Sequence, residues 1–163
     1  MSDLIAEPIA GASNVIADVT VSGGAVTTMT SGAISLAVGE VYNFEAQIKF
    51  AVSTAMRPLV NGDTVTANYR EGIVISSNIH LDFSGIYCGI APIGGSVVVS
   101  GTIREFNGKV LFEFESVIEN TANRRISVSA WHITASSLTS FQITGDAASG
   151  IDNGSSLLIW KAN

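Results

Sequence analysis

The chain has 163 residues, 14 acidic and 8 basic, for a net charge of −6. That length fits one domain, and such a domain buries roughly 70% of its unfolded surface without needing a metal or disulfide. The acidic balance argues against non-specific nucleic-acid binding and against anionic membrane surfaces. Charged residues make up 13% of the chain, about half the usual share of roughly 25%. Part of the surface is therefore expected to be apolar, which points to a partner. Sixteen glycines, with abundant Val, Ile, Thr and Ser, suit short strands and tight turns rather than helices.

Residues 1–12 have no regular apolar period and are interrupted by Pro8. They read as an arm outside the core, with residues 13–163 as a single β-sandwich domain. Leu4, Ile5 and Ile9 are the arm's apolar residues and its candidate partner-binding side chains. The segment has no basic n-region and no long apolar core, so it does not read as a signal peptide. No apolar run reaches the roughly 18 residues of a membrane span. These features predict a protein made in a cytosol, or released from one by lysis.

Val15 to Val21 has the mixed alternation of a first strand, broken by Gly23-Gly24. Ala25 to Met29 and Ala33 to Val38 read as short strands around Ser31-Gly32. Tyr42 to Val52 alternates almost without fault: Tyr42, Phe44, Ala46, Ile48 and Phe50 share one face, while Asn43, Glu45, Gln47 and Lys49 share the other. Arg57-Pro58 is expected to end that segment. Asn61-Gly62 marks a turn within Leu59 to Tyr69, where Thr64, Thr66 and Asn68 alternate with Val65, Ala67 and Tyr69. Gly72 to Ser76 and Asn78 to Phe83 continue the short strands. Ser84 to Gly95, glycine-rich and containing Pro92, reads as a loop or irregular edge.

The most informative stretch is Ser96 to Ile118. Two long strand-like runs meet at Asn107-Gly108, the residue pair that favours a two-residue type I′ turn because both positions need positive φ. The predicted register sets Phe106 against Lys109, Ile103 against Phe112, Gly101 against Phe114 and Val97 against Ile118. Thr102 then meets Glu113, and Ser100 meets Glu115, on a mostly polar opposite face.

Glu119 to Asn123 reads as a polar turn, and Arg124-Arg125 as a solvated turn rather than a phosphate site. Ile126, Val128, Ala130, His132 and Thr134 share one face of the next strand. Ser127, Ser129, Trp131 and Ile133 share the other. Ser140 to Thr144 is short, Gly145 to Gly154 a loop, and Ser156 to Lys161 the last strand. Asn153-Gly154-Ser155 matches a glycosylation sequon but reads as a turn. Eight to ten strands with frequent turns predict an all-β, antiparallel two-sheet β-sandwich, with jelly-roll topology fitting the strand count.

No Gly-x-Ser-x-Gly elbow occurs, and Gly89 to Gly95 lacks the Lys-Ser/Thr of a P-loop. Cys88, His80 and His132 are too few and too dispersed for a zinc site. Both histidines read as strand residues with ordinary hydrogen bonds. Glu113 and Glu115 are the best acid pair, roughly 7 Å apart on one strand face by the strand rise. They read as a solvated face with Arg104 diagonal to Glu113, since a glycosidase needs carboxylates facing across a cleft. Trp131, Trp160, Tyr69 and Tyr87 have the chemistry to stack on sugars but suit core or interface positions. The sequence therefore predicts no catalytic residue, no cofactor and no metal.

Three patches nevertheless carry a resemblance: Val99-Ser100-Gly101-Thr102-Ile103, Gly108-Lys109-Val110-Leu111-Phe112, and Gly154-Ser155-Ser156-Leu157-Leu158-Ile159-Trp160-Lys161. With Tyr42 to Ile48, they are similar to jelly-roll domains of tailed-phage virion proteins, which resemble the tumour-necrosis-factor and C1q fold. About 40 residues are covered, at the level of pattern. The resemblance implies a non-enzymatic virion protein, a homotrimer decorating or cementing a capsid. Its partners would be further copies of itself and the major capsid protein or another virion protein. It supplies no catalytic residues to carry over. A receptor- or glycan-binding β-sandwich, such as a tail-fibre tip or carbohydrate-binding domain, is the alternative.

Overall fold

The computed structural model describes residues 14–75, 88–119 and 124–162. The candidate arm residues Leu4, Ile5 and Ile9, the Asn78 to Phe83 segment, His80 and Tyr87 lie outside them. Among the described residues, eleven strands run in the order β1 (Val15–Thr20), β2 (Thr28–Thr30), β3 (Val41–Lys49), β4 (Thr54–Val60), β5 (Tyr69–Ile75), β6 (Gly89–Ala91), β7 (Ser96–Phe106), β8 (Lys109–Glu119), β9 (Arg124–His132), β10 (Phe141–Gly145) and β11 (Ser156–Lys161). All pairings are antiparallel. One sheet has seven strands, ordered β1-β11-β3-β7-β8-β9-β5, and the other four, ordered β2-β10-β4-β6. The expected two-sheet β-sandwich is what the chain forms.

The connectivity is that of a jelly roll with insertions. Set aside β5, β8 and β9, and the remaining eight strands pair first with last, second with seventh, third with sixth and fourth with fifth: β1 with β11, β2 with β10, β3 with β7, β4 with β6. That is a long hairpin of four strand pairs wound into two sheets. The inserted strands all extend the first sheet beyond β7.

The central hairpin has the expected register at every pair, from Ser96↔Glu119 to Phe106↔Lys109. Asn107 at φ 51° and Gly108 at φ 68° supply the two positive dihedrals that a type I′ turn requires. β3 buries Tyr42, Phe44, Ala46 and Ile48, with Phe50 just beyond it. Across the sandwich, Phe141 of β10 meets Phe44 at 4.8 Å between ring centroids and Phe112 of β8 at 6.4 Å. Each such ring contributes roughly 1.5–3 kcal/mol by burial. Phe114, Val128 and Ala130 continue the core beneath the inserted strands.

Several local expectations are corrected. Ala33 to Val38 forms no strand. Ile34 and Leu36 are buried as the alternation implies, but their N–H groups bond Thr139 and Leu138 as an irregular seam. Arg57-Pro58 does not end a segment; it lies inside β4. Asp146 N bonds Ala55 O, which makes Gly145↔Met56 and, two residues on, Ile143↔Pro58 pairs that exchange no hydrogen bonds. The ladder thus asks no donor of Pro58, which also lies past the last β4–β6 pair, Met56↔Gly89. The alternation at Thr64 to Asn68 is not a strand: Thr66–Asn68 is a 3₁₀ turn, and Val65 is exposed. Arg124 and Arg125 open β9, opposite Ile118 and Val117, instead of flanking it. Ser84 to Gly95 contains the short edge strand β6. Gly145 to Gly154 is a loop as expected, but it inserts the fully buried Ile151 as a bridge to Val26 and Phe50.

Candidate functional site

The outer face of β7, β8 and β9 is built by alternation. On β7, Val97, Val99 and Ile103 are buried, so Ser100, Thr102, Arg104 and Phe106 face out. On β8, Val110, Phe112, Phe114 and Ser116 are buried, so Lys109, Leu111, Glu113 and Glu115 face out. On β9, Val128, Ala130 and His132 are buried, so Ser127, Ser129 and Trp131 face out. The registers align these in rows: Ser100–Glu115–Ser127, Thr102–Glu113–Ser129 and Arg104–Leu111–Trp131, then Phe106–Lys109 at the hairpin tip.

Two adjoining hollows lie on this face. A shallow trough of about 380 Å³ runs between Ser100, Thr102, Glu113, Glu115, Ser127 and Ser129. A second hollow of about 470 Å³ is lined by Phe106, Asn107, Lys109, Leu111, Ser129 and Trp131. Ser129 lines both, so the two adjoin. Gly101 lines the floor of the trough. The carboxylates are held in place: Arg104 Nη2 is 3.2 Å from Glu113 Oε2, Ser129 Oγ donates to Glu113 Oε1 at 3.3 Å, and Ser127 Oγ to Glu115 Oε1 at 3.4 Å. Arg104 stands diagonal to Glu113 as the register requires. Both acids rise from one strand, not from opposing walls of a cleft, so they are placed to accept hydrogen bonds side by side.

A second polar cluster sits at the same end of the sandwich, on the core side. His132 is buried, and its Nε2 lies 2.9 Å from Asp63 Oδ2. The N–H of Ala135 donates to His132 Nδ1 at 2.9 Å, which places the ring proton on Nε2, donating to Asp63. Asp63 also accepts from the Asn68 amide and from Val65 N–H. These bonds, the Asn68 amide foremost, hold its carboxyl below the usual range. Tyr69 packs edge-on against His132, donates to Asp63 O at 2.7 Å and accepts from Val60 N–H at 3.0 Å. Burial pushes its hydroxyl up to about 12. The cluster ties the 61–68 and 133–139 loops to the sheet. Every nitrogen of His132 is engaged in that task, so it is the hydrogen-bonded strand residue that was expected.

Of the four aromatics singled out in the sequence, Tyr69 is core, while Trp131 and Trp160 stand half-buried on the outer face. Trp160 pairs with Asn43, away from the hollows. The sequence expectation missed the grouping of Phe106, Lys109, Leu111 and Trp131. Its one local signal was an apolar residue on each strand's polar side. It also missed Asp63 as the partner of His132, 69 residues away. Cys88 is buried against Met56 O. Among the described residues, no three His, Cys, Asp or Glu side chains converge to hold a metal ion. No helix there is long and apolar enough to cross a membrane.

Comparison with known proteins adds no relative: no family model, no curated protein and no solved structure matches the chain.

Proposed function

We propose that the chain is a non-enzymatic structural protein of a phage virion, a jelly roll that assembles as a homotrimer and decorates or cements the capsid. The observation that carries this reading is the first-with-last strand pairing, which agrees with the topology that the sequence resemblance implied. It is supported by apolar side chains left in solvent. Val38 is 85%, Ile93 72%, Phe106 58% and Val65 54% exposed; Val38, Phe106 and Val65 lie at the end of the sandwich that carries the central hairpin tip and Ile93 at the other. A partner that covers them gains about 25 cal/mol per Å². Its contacts would be to copies of itself and to the major capsid protein or another virion protein, through interfaces of roughly 1,600 Å² or more. Nucleic acid and membrane are not partners in this reading. Light scattering on the purified chain, followed by rebinding to capsids stripped of it, tests the proposal. A three-chain mass and saturable rebinding are expected. A monomer at micromolar concentration that leaves stripped capsids bare would overturn it.

A second reading, a glycan-binding β-sandwich, is favoured by a specific observation: two adjoining hollows, one lined by Trp131 and the other by hydrogen-bonding Glu and Ser side chains. A glycan array separates the two readings, because a binder shows saturable sugar specificity.

A further inference from the structure

We infer that the outer face of β7, β8 and β9 is a groove for a short neutral oligosaccharide, with Trp131 as the stacking platform and Glu113 and Glu115 as hydroxyl acceptors. This rests on the second reading above and gives it a place and a ligand class.

The two hollows, about 380 and 470 Å³, both fall in the roughly 300–1,000 Å³ range of small-ligand sites. From the Glu115 row to the Trp131 row is four residues along the strand, about 13 Å by the strand rise. The Phe106–Lys109 tip lies beyond. The groove therefore suits several linked rings better than a single sugar.

Its chemistry is graded along that length. At the tip, Trp131, Leu111 and Phe106 offer apolar surface, with Phe106 58% exposed. The C–H face of a pyranose ring packs on an indole of this kind. Toward the other end the walls carry Ser100, Thr102, Ser127 and Ser129 around two carboxylates. Each carboxylate oxygen has two lone pairs, and the serine and arginine bonds to Glu113 and Glu115 leave acceptor capacity free. Adjacent hydroxyls of a sugar are the matching donors. The arginine and serine bonds also fix the carboxylate rotamers in advance, which lowers the ordering cost of binding.

The same features exclude other occupants. β8 is interior to its sheet, with both edges paired to β7 and β9, so a peptide cannot add as a strand here. Glu113 and Glu115, with Glu45 two strands away on the same row as Glu115, repel phosphate, sulfate and sialic acid. Arg70, opposite Trp131, with Arg104 and Lys109 equals the three acids in number, but Arg104 is paired with Glu113 and Arg70 donates to the Ala67 and Tyr69 carbonyls, so the trough between Glu113 and Glu115 keeps its acidic character. A neutral hydroxyl-rich ligand with one apolar face satisfies every wall.

The test uses the full chain on an array of neutral, sialylated and sulfated oligosaccharides, alongside Trp131→Ala, Glu113→Gln and a Trp160→Phe protein whose only tryptophan is Trp131. The expected result is saturable binding to neutral glycans, insensitive to salt and weakened roughly tenfold or more by Trp131→Ala. Glu113→Gln should also weaken binding. The Trp160→Phe protein should show a shift in tryptophan emission on titration with the same glycan. Neutral-glycan binding that Trp131→Ala leaves intact, with no emission change, would overturn the groove and leave the glycan-binding reading standing. No binding by the intact chain would overturn both. Preference for sialylated or sulfated glycans would overturn the charge argument and with it the ligand class. A Trp131→Ala protein that folds but loses its oligomeric mass would show the face covered by a second copy, and that too would overturn the groove.

Discussion

Gly101→Ala is the substitution on which the hairpin geometry makes its strongest demand. Gly101 lies on an interior strand, between Phe44 of β3 and Phe114 of β8. A Cβ built there would sit 2.1 Å from the Glu113 carbonyl oxygen, 2.7 Å from Phe114 Cβ and 2.8 Å from Phe114 Cα. Favourable carbon contacts lie near 3.5–4.0 Å. The two nearest obstacles are backbone and Cβ atoms, which no rotamer change can move. Strands β7 and β8 would have to part locally by more than an ångström. Overpacking of this kind costs about 1–3 kcal/mol, and each ladder hydrogen bond stretched or lost adds about 1 kcal/mol. The expected total is about 3–4 kcal/mol. At roughly 2–4 °C per kcal/mol for a chain of this size, the melting temperature should fall by about 6–16 °C. Gly108→Ala is the internal control. Gly108 has φ 68° with nothing within 4 Å of the added carbon, so only the left-handed penalty of about 1–2 kcal/mol applies. Urea denaturation of the two variants gives the comparison. If Gly101→Ala costs no more than Gly108→Ala, the close approach of β7 to β8 is wrong.

Gly108→Val forces a β-branched residue to φ 68° and should cost about 2 kcal/mol; an unchanged melting temperature would show that the turn is not type I′. Cys88 is fully buried and its thiol is pushed up to about 12 by burial, so a thiol reagent at pH about 8 should label it only on unfolding. Rapid labelling of the folded chain would contradict that burial. Asp63 has a folded pKa lowered by the Asn68 amide, Val65 N–H and His132. Its contribution to stability is therefore present above the unfolded carboxylate value of about 3.9 and lost as pH falls through the lower folded value. The stability gap between the wild-type chain and Asp63→Asn should be wider at about pH 7 than at about pH 3. A gap that does not change with pH would remove the Asp63 bonds from the stability of that end.

Features that depend on neighbours along the chain are legible in the sequence wherever alternation and hydrogen bonding agree. Asn107-Gly108 sets the turn because its two positive φ values are a property of two adjacent residues, and eleven cross-strand pairs follow from it. Tyr42 to Phe50 shows its buried face because a strand alternates with period two wherever it lies. The same logic placed Trp131 opposite His132 in orientation before any partner was known. Local pattern failed where alternation and hydrogen bonding part company. Ile34 and Leu36 are buried without a strand, and Thr64 to Asn68 alternate by composition around a 3₁₀ turn. Pro58 reads as a terminator locally, yet β4 tolerates it because its missing N–H falls on a non-bonded position, a fact that belongs to the register with β10. Only the tertiary structure decided which strands are neighbours. The pairing of β1 with β11 closes a loop of more than a hundred residues, and the entropy of such closure is recovered from packing that no short window contains. The hydrogen bond from His132 to Asp63 spans 69 residues. The outer-face groove likewise exists because β8 lies between β7 and β9, so that Glu113, Ser129 and Trp131, each unremarkable in sequence, stand on one surface.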